Sequence, residues 1–281
     1  MESASKERGP MANAQQNGEI RFDPVTVLIT GASSGIGAEL ARFYARSGRT
    51  LVLWGRDAAR LERVARDCRT MGATVRTRVL DLADGHAAIA SFREDDTDHP
   101  VDLLILAAGL GDMRQHAERT ERAETVLELG LVNYATPAAL ATAGAERMVL
   151  RQRGHIVLLG SVAAFHALPF AAGYSGSKAG LTRFAEALRN GLAEYGVGVT
   201  LVSPGFVDTP MSRRVSSAKP FMQTAPQAAR LIARAVEEER PHLIFPRLFA
   251  GLRILDIIMP RPIRDAIMRR LKADQAPRAA G

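Results

Sequence analysis

Tyr174 and Lys178 stand four residues apart in the stretch "YSGSK". On a helix that spacing puts both side chains on one face, over adjacent turns. A free phenol titrates near pH ~10, too high for efficient proton exchange at neutral pH. A neighbouring ammonium stabilises the phenolate and pulls that value down. The pair therefore predicts a general acid or base acting on an oxygen atom. Ser161 precedes Tyr174 by thirteen residues and follows the apolar run "HIVLLG". Singly, a tyrosine, a lysine or a serine is usually an ordinary helix or turn residue. The combination is what suggests chemistry.

A second stretch, "TGASSGIGAEL" from Thr30 to Leu40, carries two overlapping signals. Gly31-Ala32-Ser33-Ser34-Gly35 is G-x-S-x-G, the strand-to-helix elbow of a serine hydrolase. Thr30-Gly31-x-x-x-Gly35-x-Gly37 is a glycine-rich turn fit to cradle a phosphate. The elbow needs earlier strands, one of them supplying an oxyanion loop. Here a polar leader alone precedes it, and none of the six histidines is singled out as a partner. In a first βα turn, glycines let the backbone approach a pyrophosphate while helix N–H groups and the helix dipole attract its charge. The phosphate reading is the stronger, with hydrolysis as the lesser alternative.

These residues need a scaffold. From residue 25 onward, short β-type runs alternate with longer helical stretches: "VTVLIT" (25–30), "TLVLW" (50–54), "TVRTRVL" (74–80), "VDLLIL" (101–106), "HIVLLG" (155–160), "VGVTLVS" (197–203) and "HLIF" (242–245). Several are almost continuously apolar, as expected of strands covered by helices on both faces. The pattern predicts an α/β fold, a single doubly wound, Rossmann-type parallel sheet of about seven strands. Residues 25–245 form the predicted catalytic domain, 1–24 a flexible polar leader, and 246–281 a basic, apolar helical extension.

Composition narrows the classes further. The chain of 281 residues is 47% hydrophobic and 24% charged, which describes a globular protein rather than a disordered or fibrous one. One cysteine, Cys68, excludes an internal disulfide framework and suits a reducing compartment, so a cytoplasmic location is expected. The net charge of +7 favours anionic partners. No aromatic-and-basic RNA motif or Cys/His finger appears, so nucleic acid is not expected, and no ligand cluster suggests a metal. The leader lacks the apolar core of a secretory signal. The apolar region at 243–259 is broken by Arg247, Arg253 and Asp256, which argues against a spanning helix.

Taken in order, these features resemble the short-chain dehydrogenase/reductase family over roughly residues 25–245. They are the glycine turn, Asn133 in "LVNYATP", Ser161, Tyr174-x-x-x-Lys178, and "SPGFVDTP" with Pro204, Gly205 and Thr209. The resemblance implies an NAD(P)-dependent oxidoreductase interconverting a ketone or aldehyde with an alcohol. It makes Tyr174 the general acid or base and has Ser161 hold the substrate oxygen. Lys178 grips the nicotinamide ribose, and Asn133, on the long helix before Ser161, anchors a water relaying protons to Lys178. An asparagine in a helix can equally satisfy backbone groups. A cofactor-binding sensor without catalysis is the rival class, which the Ser161–Tyr174–Lys178 set argues against.

The same resemblance maps the cofactor site. Thr30, Gly31, Ser33, Ser34, Gly35, Ile36 and Gly37 form the phosphate turn. NAD-preferring relatives carry an acid at the end of the second strand; here Trp54-Gly55 stand there and Arg56 follows. Its planar, permanently charged fork suits a 2′-phosphate, with Ser33 adding a hydroxyl, so NADP is favoured over NAD. Asp57 can cap the next helix. In "VLDLAD" Asp81 meets the adenine amino group, with the Leu82 backbone beside it; Asp81 is also a potential helix cap. "LILAAG" has Ala107 where the family has asparagine, so polar bracing there must come from another group, while Ala108 and Gly109 keep the cofactor approach. Pro204-Gly205 shape the wall by the nicotinamide, and Val207 and Thr209 meet its carboxamide unless Thr209 caps a helix before Met211.

Residues 206–225 occupy the place of the family's substrate lid and mix apolar groups with Arg213, Arg214 and Lys219. They read either as a solvated loop or as a lid offering basic groups to an acidic headgroup. Phe165, His166, Leu168 and Phe170 line the other side of the pocket. Pro246 and Pro260 bracket one expected helix, and another starts near Arg261. That extension packs on the protein or makes a peripheral contact with anionic membrane, which would suit a lipid-like substrate. Relatives associate through the Tyr174 helix and its predecessor, so a homodimer or homotetramer is expected.

Overall fold

The computed structural model describes residues 22–114, 118–216, 218–251 and 259–270. In it each of the seven β-type runs becomes a strand. β1 (Thr26–Thr30) is buried along its whole length. The Asp102 carboxylate fixes its start by accepting hydrogen bonds from the Val25 and Thr26 amides at 2.8 and 3.0 Å. There follow α1 (Gly35–Tyr44), β2 (Thr50–Gly55), α2 (Ala58–Thr70), β3 (Thr74–Val79), α3 (Gly85–Asp98), β4 (Leu103–Leu106) and α4 (Ala123–Gly130). After a π-helical turn (Leu131–Ala135) come α5 (Thr136–Arg151), β5 (Gly154–Leu159), a 3₁₀ turn (Val162–Phe165), α6 (Ala172–Gly191) and β6 (Val197–Pro204). The chain continues through β7 (Val207–Asp208), α7 (Pro210–Arg213), β8 (Gln223–Thr224), α8 (Ala225–Glu237) and β9 (His242–Phe245).

Seven strands pair in parallel in the order β3-β2-β1-β4-β5-β6-β9. The order reverses between β1 and β4, and in such sheets ligands bind outside the carboxyl ends of the strands at that switch point. Alternate strand residues feed two cores. Val27, Ile29, Leu51 and Leu53 meet Leu40 of α1, Leu61 of α2 and Ile232 of α8. Leu28, Val52, Trp54 and Leu104 meet Phe92 of α3, Leu140 of α5 and Leu181 of α6. Each fully buried leucine of this kind contributes roughly 1.5–3 kcal/mol relative to exposure.

Caps set the helix starts. Asp57 accepts from the Arg60 amide at the head of α2, and Asp84 from the Ala87 amide at the head of α3. Each cap stabilises its helix by about 1 kcal/mol. Asp84 rather than Asp81 is thus the α3 cap, because Asp81 closes a tighter turn onto the Ala83 amide at 2.9 Å. The β7–β8 ladder is two residues long on each side, too short to leave a sequence pattern. The helix from Arg261 is present over Arg261–Arg270. A helical turn begins at Leu248, while 252–258, 271–281 and residues 1–21 of the leader lie outside the described residues. Among the described residues no helix is long and apolar enough to cross a membrane.

Candidate active site

β1 ends at Thr30, and the chain turns sharply into α1 because three glycines permit it. Gly31 has φ +69°, and a β-carbon there would lie 2.7 Å from the Ala108 Cα. A β-carbon on Gly37 would lie 2.4 Å from the Gly31 carbonyl oxygen. The turn therefore packs backbone to backbone against the exit of β4. This leaves the Ser34, Gly35 and Ile36 amides at the start of α1, where a helix offers unpaired N–H groups to an anion. Ser33 lies on Gly55 at the end of β2, its Oγ 3.1 Å from the position a Gly55 β-carbon would take. Ser33 takes part in neither the Thr200–His155 nor the Ser203–His242 hydrogen bond. The hydrolase alternative gains nothing from this geometry.

Arg56 follows Gly55, half exposed, with its guanidinium 3.8 Å from carboxylate oxygens of both Asp81 and Glu128. These separations exceed hydrogen-bond length. The Leu82 carbonyl accepts from Thr136 Oγ1 at 2.7 Å, which ties this rim to α5. The missing asparagine at position 107 is replaced by two contacts. Thr30 Oγ1 accepts from the Ala108 amide at 3.2 Å. Asn133 clasps Leu110 from both sides, its Oδ1 accepting from the Leu110 amide at 2.8 Å and its Nδ2 donating to the Leu110 carbonyl at 2.9 Å.

Asn133 is fully buried and lies in the π-helical turn rather than in a regular long helix. Such turns rotate side chains off the regular helical phase and recur at functional sites. A β-carbon on Gly109 would be 3.1 Å from Asn133 Oδ1 and 3.4 Å from Lys178 Nζ. Glycine at 109 thus leaves room for the chain to pass between them.

α6 carries Tyr174 and Lys178 toward the carboxyl end of β5. Lys178 is buried and donates to the Leu159 carbonyl oxygen at 2.7 Å. Burial lowers its pKa to about 8, which leaves it charged at neutral pH. Ser161, itself buried, caps the 3₁₀ turn by accepting from the Ala163 amide at 3.1 Å, and its side chain is hydrogen-bonded to Tyr174. The expected acidification of Tyr174 is not what this pocket does alone. Burial raises the phenol above its ordinary value, and the Ser161 hydrogen bond opposes the rise. Desolvation disfavours both charged forms at once, and the ammonium is directed at a backbone carbonyl.

At the far wall, Pro204 ends β6, and the Gly205 amide donates to the Phe245 carbonyl at 2.8 Å. A β-carbon on Gly205 would lie 2.7 Å from the Phe249 ring, so the start of the C-terminal extension braces the site. Val207 is buried. Thr209 is the α7 cap, its side chain accepting from Ser212 N in a capping box, and its methyl faces Gly35. The lid arginines are not free: Arg213 forks onto Asp208 at 2.7 and 3.1 Å, and Arg214 pairs with Asp112 at 2.7 Å. Asp112, Met211 as a packing group, and Phe249 carry no sequence signal, since their partners are set by the fold rather than by spacing.

With this geometry in view, the comparisons agree. The short chain dehydrogenase family model matches residues 25–220. An uncharacterized oxidoreductase of Myxococcus xanthus is 33% identical over 250 residues, covering 88% of this chain and 97% of that one. A short-chain dehydrogenase from Sphingobium yanoikuyae in complex with NADPH superposes with a TM-score of 0.73 at 30% identity, over 90% of this chain and 98% of its own. A bulky-bulky ketone specific alcohol dehydrogenase from Comamonas testosteroni gives 0.71 at 27% identity, over 90% and 96%. The chain belongs to the short-chain dehydrogenase family and is an NAD(P)-dependent oxidoreductase.

Proposed function

We propose that the protein interconverts a ketone or aldehyde with an alcohol, using NADP(H), and that Tyr174 is its general acid and base. The observation that carries this reading is the convergence of buried Ser161 and Lys178 with half-buried Tyr174 at the carboxyl end of β5, beside Gly109 and Asn133. The bound dinucleotide supplies the hydride that reduces the carbonyl carbon. Ser161 donates a hydrogen bond to the substrate oxygen and orients it toward Tyr174. Tyr174 gives its phenolic proton to that oxygen as the alcohol forms. Lys178 stabilises the resulting phenolate and holds the nicotinamide ribose. Asn133 fixes the Leu110 segment and keeps the second lone pair of Oδ1 for a relay water.

The cradle fits the dinucleotide. Backbone crowding at Gly31 and Gly37 brings the Thr30–Gly37 turn close enough for a pyrophosphate to meet the α1 amides. Ala108, Gly109, Pro204, Gly205, Val207 and Thr209 flank the nicotinamide end, and Asp81 and Leu82 the adenine end. Arg56 and Ser33 take the 2′-phosphate. No carboxylate stands at the end of β2, and the Sphingobium relative is an NADPH complex. We assign the catalytic unit to residues 25–245 and a C-terminal extension to 246–281, of which Phe249 packs on Gly205. Val126 and Tyr134 are exposed and lie against Gly173 and Gly180 of α6, and Leu127 is exposed on α4, which supports association with a second copy through α4 to α6.

The test is NADPH oxidation across a panel of carbonyls. Turnover of at least one class, with NADPH preferred to NADH, is expected. Tight NADPH binding without turnover of any carbonyl would favour the sensor alternative. Arg56→Ala is expected to weaken NADPH binding about ten-fold or more, since a charge-assisted contact is worth about 1.5–3 kcal/mol, and to leave NADH binding within about two-fold.

A further inference from the structure

We infer that Asp112 and Arg214 form a clasp that seats the lid over the active site and commits the pocket to an uncharged, largely apolar carbonyl substrate. The inference rests on the oxidoreductase reading and adds the substrate class. The clasp joins residues 102 positions apart in the chain, and the two side chains are 14% and 22% exposed. One residue before Asp112, a β-carbon on Gly111 would lie 2.7 Å from the Met211 sulfur, so the lid's thioether rests on that glycine. Two residues after it, the Arg114 amide donates to the Phe170 carbonyl at 3.0 Å, which holds the wall between Ser161 and Tyr174. Behind it, Asn133 grips Leu110 through both backbone groups. The segment Leu110–Arg114 is thus a crosspiece joined to the Asn133 amide, the pocket wall and the lid.

The charges follow from that arrangement. A lid built to receive an acidic headgroup needs a cation without an acidic partner. Both lid guanidiniums have one, Arg213 being bound by Asp208 and Arg214 by Asp112, which leaves only Lys219, felt by Asp208 at longer range. The lid segment meanwhile exposes Met211, Phe221 and Met222. A substrate carboxylate entering beside Asp112 meets a paired guanidinium and an acid of its own sign. An apolar group meets the Met211 thioether that rests on Gly111. The ketone-specific relative is in keeping with this class.

Asp112 and Arg214 are positioning residues, and their test needs readouts that a merely structural role would not move. Acetophenone and 4-acetylbenzoate differ by one carboxylate. Wild-type enzyme is expected to favour the neutral ketone by about thirty-fold or more in kcat/KM. Asp112→Asn releases the guanidinium and is expected to cut that preference at least five-fold, mainly through the KM of the acid. Arg214→Gln should not cut it. Both single variants are expected to speed NADPH release about five-fold in stopped-flow fluorescence, and the exchange Asp112→Arg with Arg214→Asp to restore it within two-fold. An even or reversed wild-type preference, or one unchanged by Asp112→Asn, overturns the substrate class. Unaltered release in both single variants overturns the clasp. Turnover of neither ketone counts against the substrate class and, extended across the carbonyl panel, against the oxidoreductase reading itself; the release rates then decide the clasp alone.

Discussion

Two buried bases flank β5, one near each end, and their partners differ in kind. His155, near the amino end, is 2% exposed and bonded to Thr200 Oγ1 at 2.8 Å. The Thr200 hydroxyl gives its own hydrogen to the Arg240 carbonyl at 2.7 Å, so it accepts from the imidazole Nε2–H. Burial pushes the His155 pKa down to about 4, which leaves a neutral ring at physiological pH. Lys178, beside the carboxyl end, is 5% exposed, with a pKa near 8, and still charged. It has one carbonyl partner and a glycine at its other side. The first base is neutral and its Nε2 hydrogen is engaged, whereas the second keeps a charge and spare hydrogens. Equal burial thus serves stability at one end of the strand and chemistry at the other.

The largest effect that would sharpen this contrast is loss of the charged base. Lys178→Met is expected to lower kcat/KM by about 10³-fold, within the range typical of proton-transfer groups, while the protein stays folded by circular dichroism. Ser161→Ala should cost about 10²-fold, since removing a hydrogen-bond donor to a developing oxyanion costs on that order. His155→Leu should leave kcat/KM within about two-fold. If it abolished turnover instead, the division between the two ends of β5 would fail.

Two pH profiles follow. Carbonyl reduction is expected to decline as pH rises through about 8, where Lys178 loses its proton. His155 has a folded pKa below its ordinary value of 6.5, so the unfolded chain binds the proton first as pH falls. Stability should therefore drop between pH 6.5 and 4, by about 3 kcal/mol from this group. Urea melts of wild type and His155→Leu measure it as a difference in slope across that window.

Much of this was legible from residue order. Strands such as "HIVLLG" are apolar on both faces, so a parallel sheet was readable without knowing what covers them. The glycine turn and the Tyr174–Lys178 spacing are local, and local geometry survives in sequence. Asp57 as a cap was readable for the same reason. The Asp112–Arg214 clasp, the seat of Phe249 on Gly205 and the replacement of the asparagine at 107 by Thr30 and Asn133 depend on residues brought together by tertiary folding. The direction of the Tyr174 shift is not legible in spacing, because spacing shows the neighbouring cation and not the burial that accompanies it.

The proton donor itself is tested most directly by hydride transfer in a single turnover, with Tyr174→Phe compared with wild type at saturating NADPH. The predicted result is a rate lower by about 10³-fold, with the NADPH dissociation constant changed by less than about three-fold. A variant that reduces the same ketone at the wild-type rate would show that the phenol at 174 does not deliver the proton.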